Sequence, residues 1–127
     1  MEIDVQFTDQ AIKEPPVVIA EGTGALVEFR GVVRGVERSE RIAALIYELY
    51  EPMARKVIVG ILHELAADAP CLRVRVIHRH GIIPVGETAI YVGIEAKHRG
   101  EAFRMMEKFM NRLKIEVPIW KTGSVPC

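Results

Sequence analysis

Neither sign of charge prevails in this sequence. Its 17 Lys and Arg are matched by 17 Asp and Glu, so the formal net charge is zero. The basic excess of a general nucleic-acid binder is therefore missing, although a local basic pocket is still allowed. Cysteine is scarce. Cys71 and Cys127 make neither a CxxC pair nor a metal-ligand set; Cys71 reads as a buried thiol and Cys127 as a frayed terminus. The lack of disulfide support favours a reducing compartment. Long apolar runs are absent as well: Pro16-Val17-Val18-Ile19-Ala20 falls far short of the roughly 20 residues that span a bilayer. The start, Met1-Glu2-Ile3-Asp4, lacks the basic and apolar regions of a signal peptide, so a soluble, cytoplasmic protein is expected. The sequence also has no internal repeat, no low-complexity tract, no phosphate-binding P-loop, no dinucleotide fingerprint and no nucleophile elbow.

What is present suits one domain over residues 1–127, half of them hydrophobic, enough for a core without metal or disulfide staples. Ile3 to Phe7 alternates apolar and polar and predicts a first strand. Pro15-Pro16 and Gly22-Thr23-Gly24 break the chain. Ala25 to Arg34 is β-rich, with Val27, Phe29, Gly31 and Val33 on one face and Glu28, Arg30 and Arg34 on the other. Gly35 to Glu40 reads as a polar loop. Arg41 to Tyr50 is ambiguous, because Ile42, Leu45, Ile46 and Leu49 fit a helix while alternation around Tyr47 and Leu49 fits a strand.

Pro52 suits the first turn of a helix, whose stripe of Met53, Val57, Ile61 and Leu65, with Ile58 and Leu62 beside it, runs to about Asp68. Leu72 to His80 and Glu87 to Ala96 predict two strands, joined by a turning loop over Gly81-Ile82-Ile83-Pro84-Val85-Gly86. A second helix starts at His98, with Phe103, Met106, Met110 and Leu113 as its stripe and Ala102 and Phe109 widening it. Val117-Pro118 ends it, and Ile119-Trp120-Lys121 follows as a short extended tail. This order is α+β.

Three places give charge a use. His98-Arg99 opens the second helix, where unpaired N–H groups and the dipole attract anions; the plainer reading is a solvated strand-to-helix corner. Arg34 stands where a strand feeds a loop, a common position for site residues and also for ordinary surface charge. Lys114 and Lys121 lie on either side of the Pro118 break. A chain turning back there could bring the two ammonium groups together in a partly apolar pocket beside Met110 and Trp120. Each charge would then favour the neutral form of the other, as acid–base or nucleophilic lysines require. Two solvated lysines are the plainer alternative. His63, His78 and His80 have no carboxylate or cysteine to complete a metal-ligand spacing, so His78-Arg79-His80-Gly81 reads as a hairpin corner and the methionines as core.

In order, Phe29-Arg30-Gly31-Val32-Val33-Arg34, then Val76-Ile77-His78-Arg79-His80-Gly81 with Val85-Gly86-Glu87, then Lys97-His98-Arg99-Gly100-Glu101-Ala102-Phe103, then Leu113-Lys114 with Val117-Pro118-Ile119-Trp120-Lys121 resemble the F-x-G-x-x-R, H-R-x-G…G-[ED], H-R-x-x-A-F and L-K-x-x-x-P-[IF]-W-K motifs of the large, catalytic subunits of molybdopterin synthase. The resemblance covers about residues 24 to 122. It implies an α/β-hammerhead type of fold, mostly antiparallel strands with two main helices, and makes Arg41 to Tyr50 a strand. It further implies a sulfurtransferase of molybdenum cofactor biosynthesis, which converts cyclic pyranopterin monophosphate to molybdopterin. The sulfur would come from the C-terminal thiocarboxylate of a small ubiquitin-like carrier ending in Gly-Gly. Each large subunit of a homodimer would bind one carrier, giving a heterotetramer. Lys114 and Lys121 match the family's catalytic lysines. Arg34, His98 and Arg99 match its anion-binding residues, some of which could serve the neighbouring protomer, and Phe29 and Met110 match pocket-lining positions. No metal, cofactor, nucleic acid or membrane partner is implied.

The chain departs from the family at Thr122-Gly123, where a basic and then an acidic residue are usual, and in having few residues after Lys121. The alternative that these departures suggest is a non-catalytic carrier-binding relative acting as a scaffold. An unrelated α+β RNA-binding domain is disfavoured by the neutral charge and the lack of an aromatic platform on a strand.

Overall fold

The computed structural model describes residues 1–13 and 18–127; the break expected at Pro15-Pro16 lies outside them. In chain order the elements are β1 (Glu2–Thr8), β2 (Ala25–Val32), β3 (Val36–Glu37), β4 (Glu40–Leu49), α1 (Glu51–Leu65), β5 (Arg73–Arg79), β6 (Gly81–Pro84), β7 (Thr88–Ala96), α2 (Arg99–Glu116) and β8 (Ile119–Pro126). One four-stranded sheet has the order β1-β5-β7-β2, and a second joins β3, β4 and β6, with β8 on β4. All ladders are antiparallel except β1 with β5. The expected α+β architecture, with two main helices and mostly antiparallel strands, is the observed one.

The main core lies between the first sheet and the two helices. Val74 and Val76 of β5 and Val92 and Ile94 of β7 face Ile58 and Leu62 of α1 and Met105 and Phe109 of α2, all fully buried. Each such side chain contributes on the order of 1.5–3 kcal/mol by leaving water. The predicted stripes are rotated by about one residue. In α1 the buried face is Ala54, Ile58, Ile61 and Leu62 while Met53 is exposed; in α2 it is Ala102, Met105, Met106 and Phe109 while Phe103 points outward. A smaller core of Val33, Ile42, Leu45, Ile83 and Ala89 joins the second sheet to the turn before β7.

Four local expectations change. The Gly81 to Gly86 loop contains β6, whose Gly81 to Pro84 pairs with Tyr47 to Ala44 of β4. Gly81 and Gly86, both at φ +86°, make the left-handed bends that bracket the strand. The Gly35 to Glu40 loop contains β3, which turns into β4 through Arg38 and Ser39, both at positive φ. The tail after Pro118 is not three extended residues but eight, paired along β4 from Leu49↔Ile119 to Ile42↔Pro126. Finally, a register shift between Gly31 and Val32 breaks the alternation predicted through Arg34. Val27 packs on the main core but Val33 enters the smaller one, because a bulge reorients every residue beyond it.

Candidate functional site

The C-terminal end of α2 and the start of β8 meet over the junction of the two sheets. Val117 leaves the helix in an extended conformation (φ −86°, ψ 132°), as a residue before proline must, and Ile119 then joins the β4 ladder opposite Leu49. The return places Lys114, from the last turn of α2, and Lys121, from β8, on the wall of one cavity of about 510 Å³. Its other lining residues are Tyr47, His78, Ile90, Met110, Asn111, Leu113 and Ile119. The cavity is thus apolar along Ile90, Met110, Leu113 and Ile119, with two ammonium groups over it.

Two local devices aim these cations. Lys114 sits where the partial negative end of the α2 dipole favours positive charge. Lys121 stands opposite Tyr47 in the ladder, immediately after a register shift that leaves Thr122 unpaired; such a bulge turns a side chain away from its regular direction. Lys121 Nζ lies 3.6 Å from Glu37 Oε1, so Glu37 supplies one counter-charge to the pair. The same lysine also borders an adjoining cavity of about 390 Å³ under the β3–β4 turn, lined by Glu37, Arg38, Glu40 and Ser124.

Tyr47 and His78 form the floor between the sheets, with ring centroids 5.5 Å apart in an edge-on contact. Burial, reinforced by the Glu37 carboxylate, raises the Tyr47 phenol above its usual value and keeps it protonated. His78 is only 4% exposed, and its Nδ1 lies 2.8 Å from the Arg79 carbonyl oxygen. Burial holds its imidazole below the usual range, offset in part by that backbone bond and reinforced by His80. The neighbouring Arg79 is buried too. Its guanidinium bonds Glu87 at 2.6 Å and ties β5 to the turn before β7, which accounts for the H-R…G-E pattern as a structural clamp.

Of the residues singled out in the sequence, the structure brings Lys114, Lys121 and Met110 together. It does not bring the others to them. Phe29 lies half-exposed on β2, opposite Val92 and outside the cavity wall. Arg34 is exposed, two residues beyond the end of β2. His98 stands at the N-cap position of α2 without a capping side-chain hydrogen bond, its side chain 79% exposed and Nδ1 3.5 Å from a Glu101 carboxylate oxygen; Arg99 is exposed beside it. From Arg99 to Lys114 the helix rises about 22 Å at about 1.5 Å per residue, so the predicted anion site and the lysine pair are at opposite ends of α2.

His78 and Tyr47 are the wall residues that sequence reasoning passed over. A signal for His78 did exist. Strand alternation puts it on the same face as Val74 and Val76, both fully buried, which is the core side and not a hairpin corner. Cys71, by contrast, is the buried free thiol expected of it.

Comparison with known proteins bears on this arrangement. The model of the MoaE protein family matches residues 2–116. Molybdopterin synthase catalytic subunit 1 of Mycobacterium tuberculosis is 35% identical over 119 residues, 91% of this chain and 81% of the relative. The crystal structure of molybdopterin synthase from Staphylococcus aureus superposes with a TM-score of 0.75 at 30% identity, over 98% of this chain and 93% of the other. A chain of the protein–protein complex of subunits 1 and 2 of molybdopterin-converting factor from Helicobacter pylori has the same fold, with a TM-score of 0.75 at 19% identity over 98% and 89% of the two chains.

Proposed function

Because the chain belongs to the MoaE protein family, the catalytic subunits of molybdopterin synthase, we propose that it moves sulfur from the C-terminal thiocarboxylate of a small ubiquitin-like carrier onto cyclic pyranopterin monophosphate, yielding the dithiolene of molybdopterin. The observation that carries this reading is the convergence of Lys114 and Lys121 on one largely apolar cavity beside Met110.

The chemistry follows from that convergence. A carrier tail ending in Gly-Gly is thin enough to enter a cavity walled by Ile90, Met110, Leu113 and Ile119, and its anionic end is attracted by the two ammonium groups. When sulfur becomes bonded to the acceptor carbon, the negative charge of the thiocarboxylate passes to the substrate, and when the resulting thioester is cleaved negative charge develops on the acyl oxygen. Ammonium groups beside an apolar wall stabilise that charge, the more so once the carrier tail fills the cavity and displaces its water. Retention of both lysines favours a catalyst over a carrier-binding scaffold.

The substrate's phosphate calls for further cationic groups. His98 and Arg99 suit it, but Arg99 is about 22 Å along α2 from Lys114 at about 1.5 Å per residue, and Arg34 stands at the other end of the β2–β7 ladder from them. In the proposed homodimer, which with two carriers makes a heterotetramer, His98 and Arg99 serve the lysine cavity of the neighbouring protomer, Arg34 adds a separate anion-binding cation, and Phe29 lines the approach. The reaction is cytoplasmic in this reading. No described helix is long and apolar enough to cross a membrane.

Reconstitution with thiocarboxylated carrier and cyclic pyranopterin monophosphate is the test. Wild type should form dithiolene. Lys114→Ala and Lys121→Ala should each lose on the order of 10²-fold or more in rate while still binding carrier. A folded wild type that binds carrier and forms no dithiolene would sink the catalytic reading and leave the scaffold.

A further inference from the structure

The lysine cavity needs a base, and its lysines do not supply one. Once the carrier's sulfur is bonded to the substrate, carrier and substrate are joined through a thioester. Releasing the sulfur requires water to attack the acyl carbon. The water oxygen forms the new bond to that carbon, the carbon–sulfur bond breaks with its electron pair going to sulfur, and the carrier leaves as a carboxylic acid. A proton must be taken from the water and one delivered to the departing sulfur.

Among the residues lining the cavity, few groups can take that proton. Ammonium groups are donors only, an amide such as that of Asn111 is not basic, and Tyr47 is held as a protonated phenol. Glu37 lines the adjoining cavity and is engaged by Lys121. His78 remains. A carbonyl oxygen can only accept, so the 2.8 Å contact between His78 Nδ1 and the Arg79 oxygen requires the proton to be on Nδ1. The neutral ring therefore carries its lone pair on Nε2. The edge-on Tyr47 ring and burial to 4% exposure hold the imidazole in this orientation on the wall that it shares with Lys114 and Lys121.

Resting on the function proposed above, we propose that His78 is the general base of this site: Nε2 takes a proton from the water that cleaves the carrier–substrate thioester and returns a proton to the departing sulfur. The imidazole ends neutral, as it began, and the lysines stabilise the acyl oxyanion. The charged and titratable groups facing the ring are Lys114 from α2, Lys121 from β8 and Tyr47 from β4, with His80 on its own side of the hairpin; β7 contributes the apolar Ile90. Deep burial, with His80 adding to it and the Arg79 carbonyl opposing, favours the neutral ring, as a base must be.

Two substitutions separate the ring nitrogens. In His78→Asn the amide nitrogen occupies the place of Nδ1 and keeps the bond to Arg79, with nothing at the Nε2 position. In His78→Gln an amide oxygen reaches that position, where it accepts a hydrogen bond but takes no proton. In single turnover with thiocarboxylated carrier and cyclic pyranopterin monophosphate, both variants should bind carrier. Both should slow dithiolene formation on the order of 10²-fold or more and accumulate a carrier–pterin conjugate visible by intact-mass spectrometry. The rate of wild type should fall on the acid side with a midpoint below the usual imidazole range, and that limb should vanish in the variants.

Nitrogen-15 NMR of wild type, independent of activity, should show an unprotonated Nε2 at pH 7. A proton on Nε2, or either variant turning over at the wild-type rate, would overturn the proposal. Loss of activity without conjugate would also overturn it. A wild type that makes no dithiolene would instead defeat the functional reading beneath it.

Discussion

Glu95 offers the sharpest test of what holds the first sheet to the segment that precedes it. Its carboxylate, 6% exposed on β7, accepts hydrogen bonds from the Ala20 N–H at 2.7 Å and the Thr23 hydroxyl at 3.1 Å. It also pairs with Arg73 Nη1 at 3.1 Å. Arg73 reaches Glu2 at 3.2 Å and the Val18 carbonyl at 2.7 Å as well. Breaking a buried pair by removing one partner costs about 3–5 kcal/mol. Arg73 keeps two other partners after Glu95→Ala, which puts the expected loss at the lower end, about 3 kcal/mol.

With an unfolding entropy of about 2.1 cal/mol/K per residue, a chain of this length loses about 11 °C in Tm for that amount. Glu95→Gln keeps the shape and one acceptor and should lose less than half as much. Calorimetry gives the global number, and hydrogen exchange gives the local one: the Ala20 amide should be protected in wild type and should exchange freely in Glu95→Ala. A Tm drop under about 3 °C, or an Ala20 amide indifferent to the substitution, would refute the picture of a buried carboxylate organising three partners.

Two further outcomes are expected. If His98 and Arg99 of one protomer serve the lysine cavity of the other, Arg99→Ala and Lys114→Ala should each be inactive alone, yet equal mixtures allowed to exchange subunits should recover about a quarter of wild-type activity, half the dimers being mixed and each holding one intact site; no recovery would argue that both groups act within one chain. Burial, with Glu101 adding to it and Arg104 opposing, raises the Cys71 thiol to about 11. The folded state therefore holds this proton more tightly than the unfolded chain, whose thiol titrates near 8.5. The contribution to stability is full below that value and is lost as pH rises from about 8.5 towards 11, by on the order of 3 kcal/mol. Urea midpoints of wild type and Cys71→Ala measured across that range should show a loss larger in wild type by that amount, the buried Tyr47 and Tyr91 phenols contributing equally to both.

Much of this fold is legible in the sequence, because local pattern and tertiary role agree. The apolar stripes of α1 and α2 and the alternation of β5 and β7 are written into the residues that make them. β6 is not legible this way. Its glycines and Pro84 carry turn signals, and only its ladder with β4 makes Ile82 and Ile83 a strand. The segment from Arg41 to Tyr50 has helical periodicity by chance of composition, and β6 and β8 on its two edges decide the matter. The lysine pair could be anticipated because Pro118 forces a return. The distance of that pair from His98 and Arg99 was implicit in the helix length, yet becomes telling only when the cavity is placed at one end. His78 was hidden by its neighbours Arg79 and His80, whose polarity suggests an exposed corner.

The ladders also prescribe an order of assembly. β5, β6, β7 and α2 are close in sequence, whereas Glu2↔Arg73, Ala25↔Ala96 and Ile42↔Pro126 close loops of some 70 residues or more, which makes them slow to form. The lysine cavity depends on the last of these, because Lys121 reaches it only when β8 has annealed to β4. An intermediate with both helices seated on β5 and β7 can therefore bury most of the main core and still have no cavity. Catalytic competence should lag behind compaction during refolding, and mild destabilisation should remove the chemistry before it removes the fold.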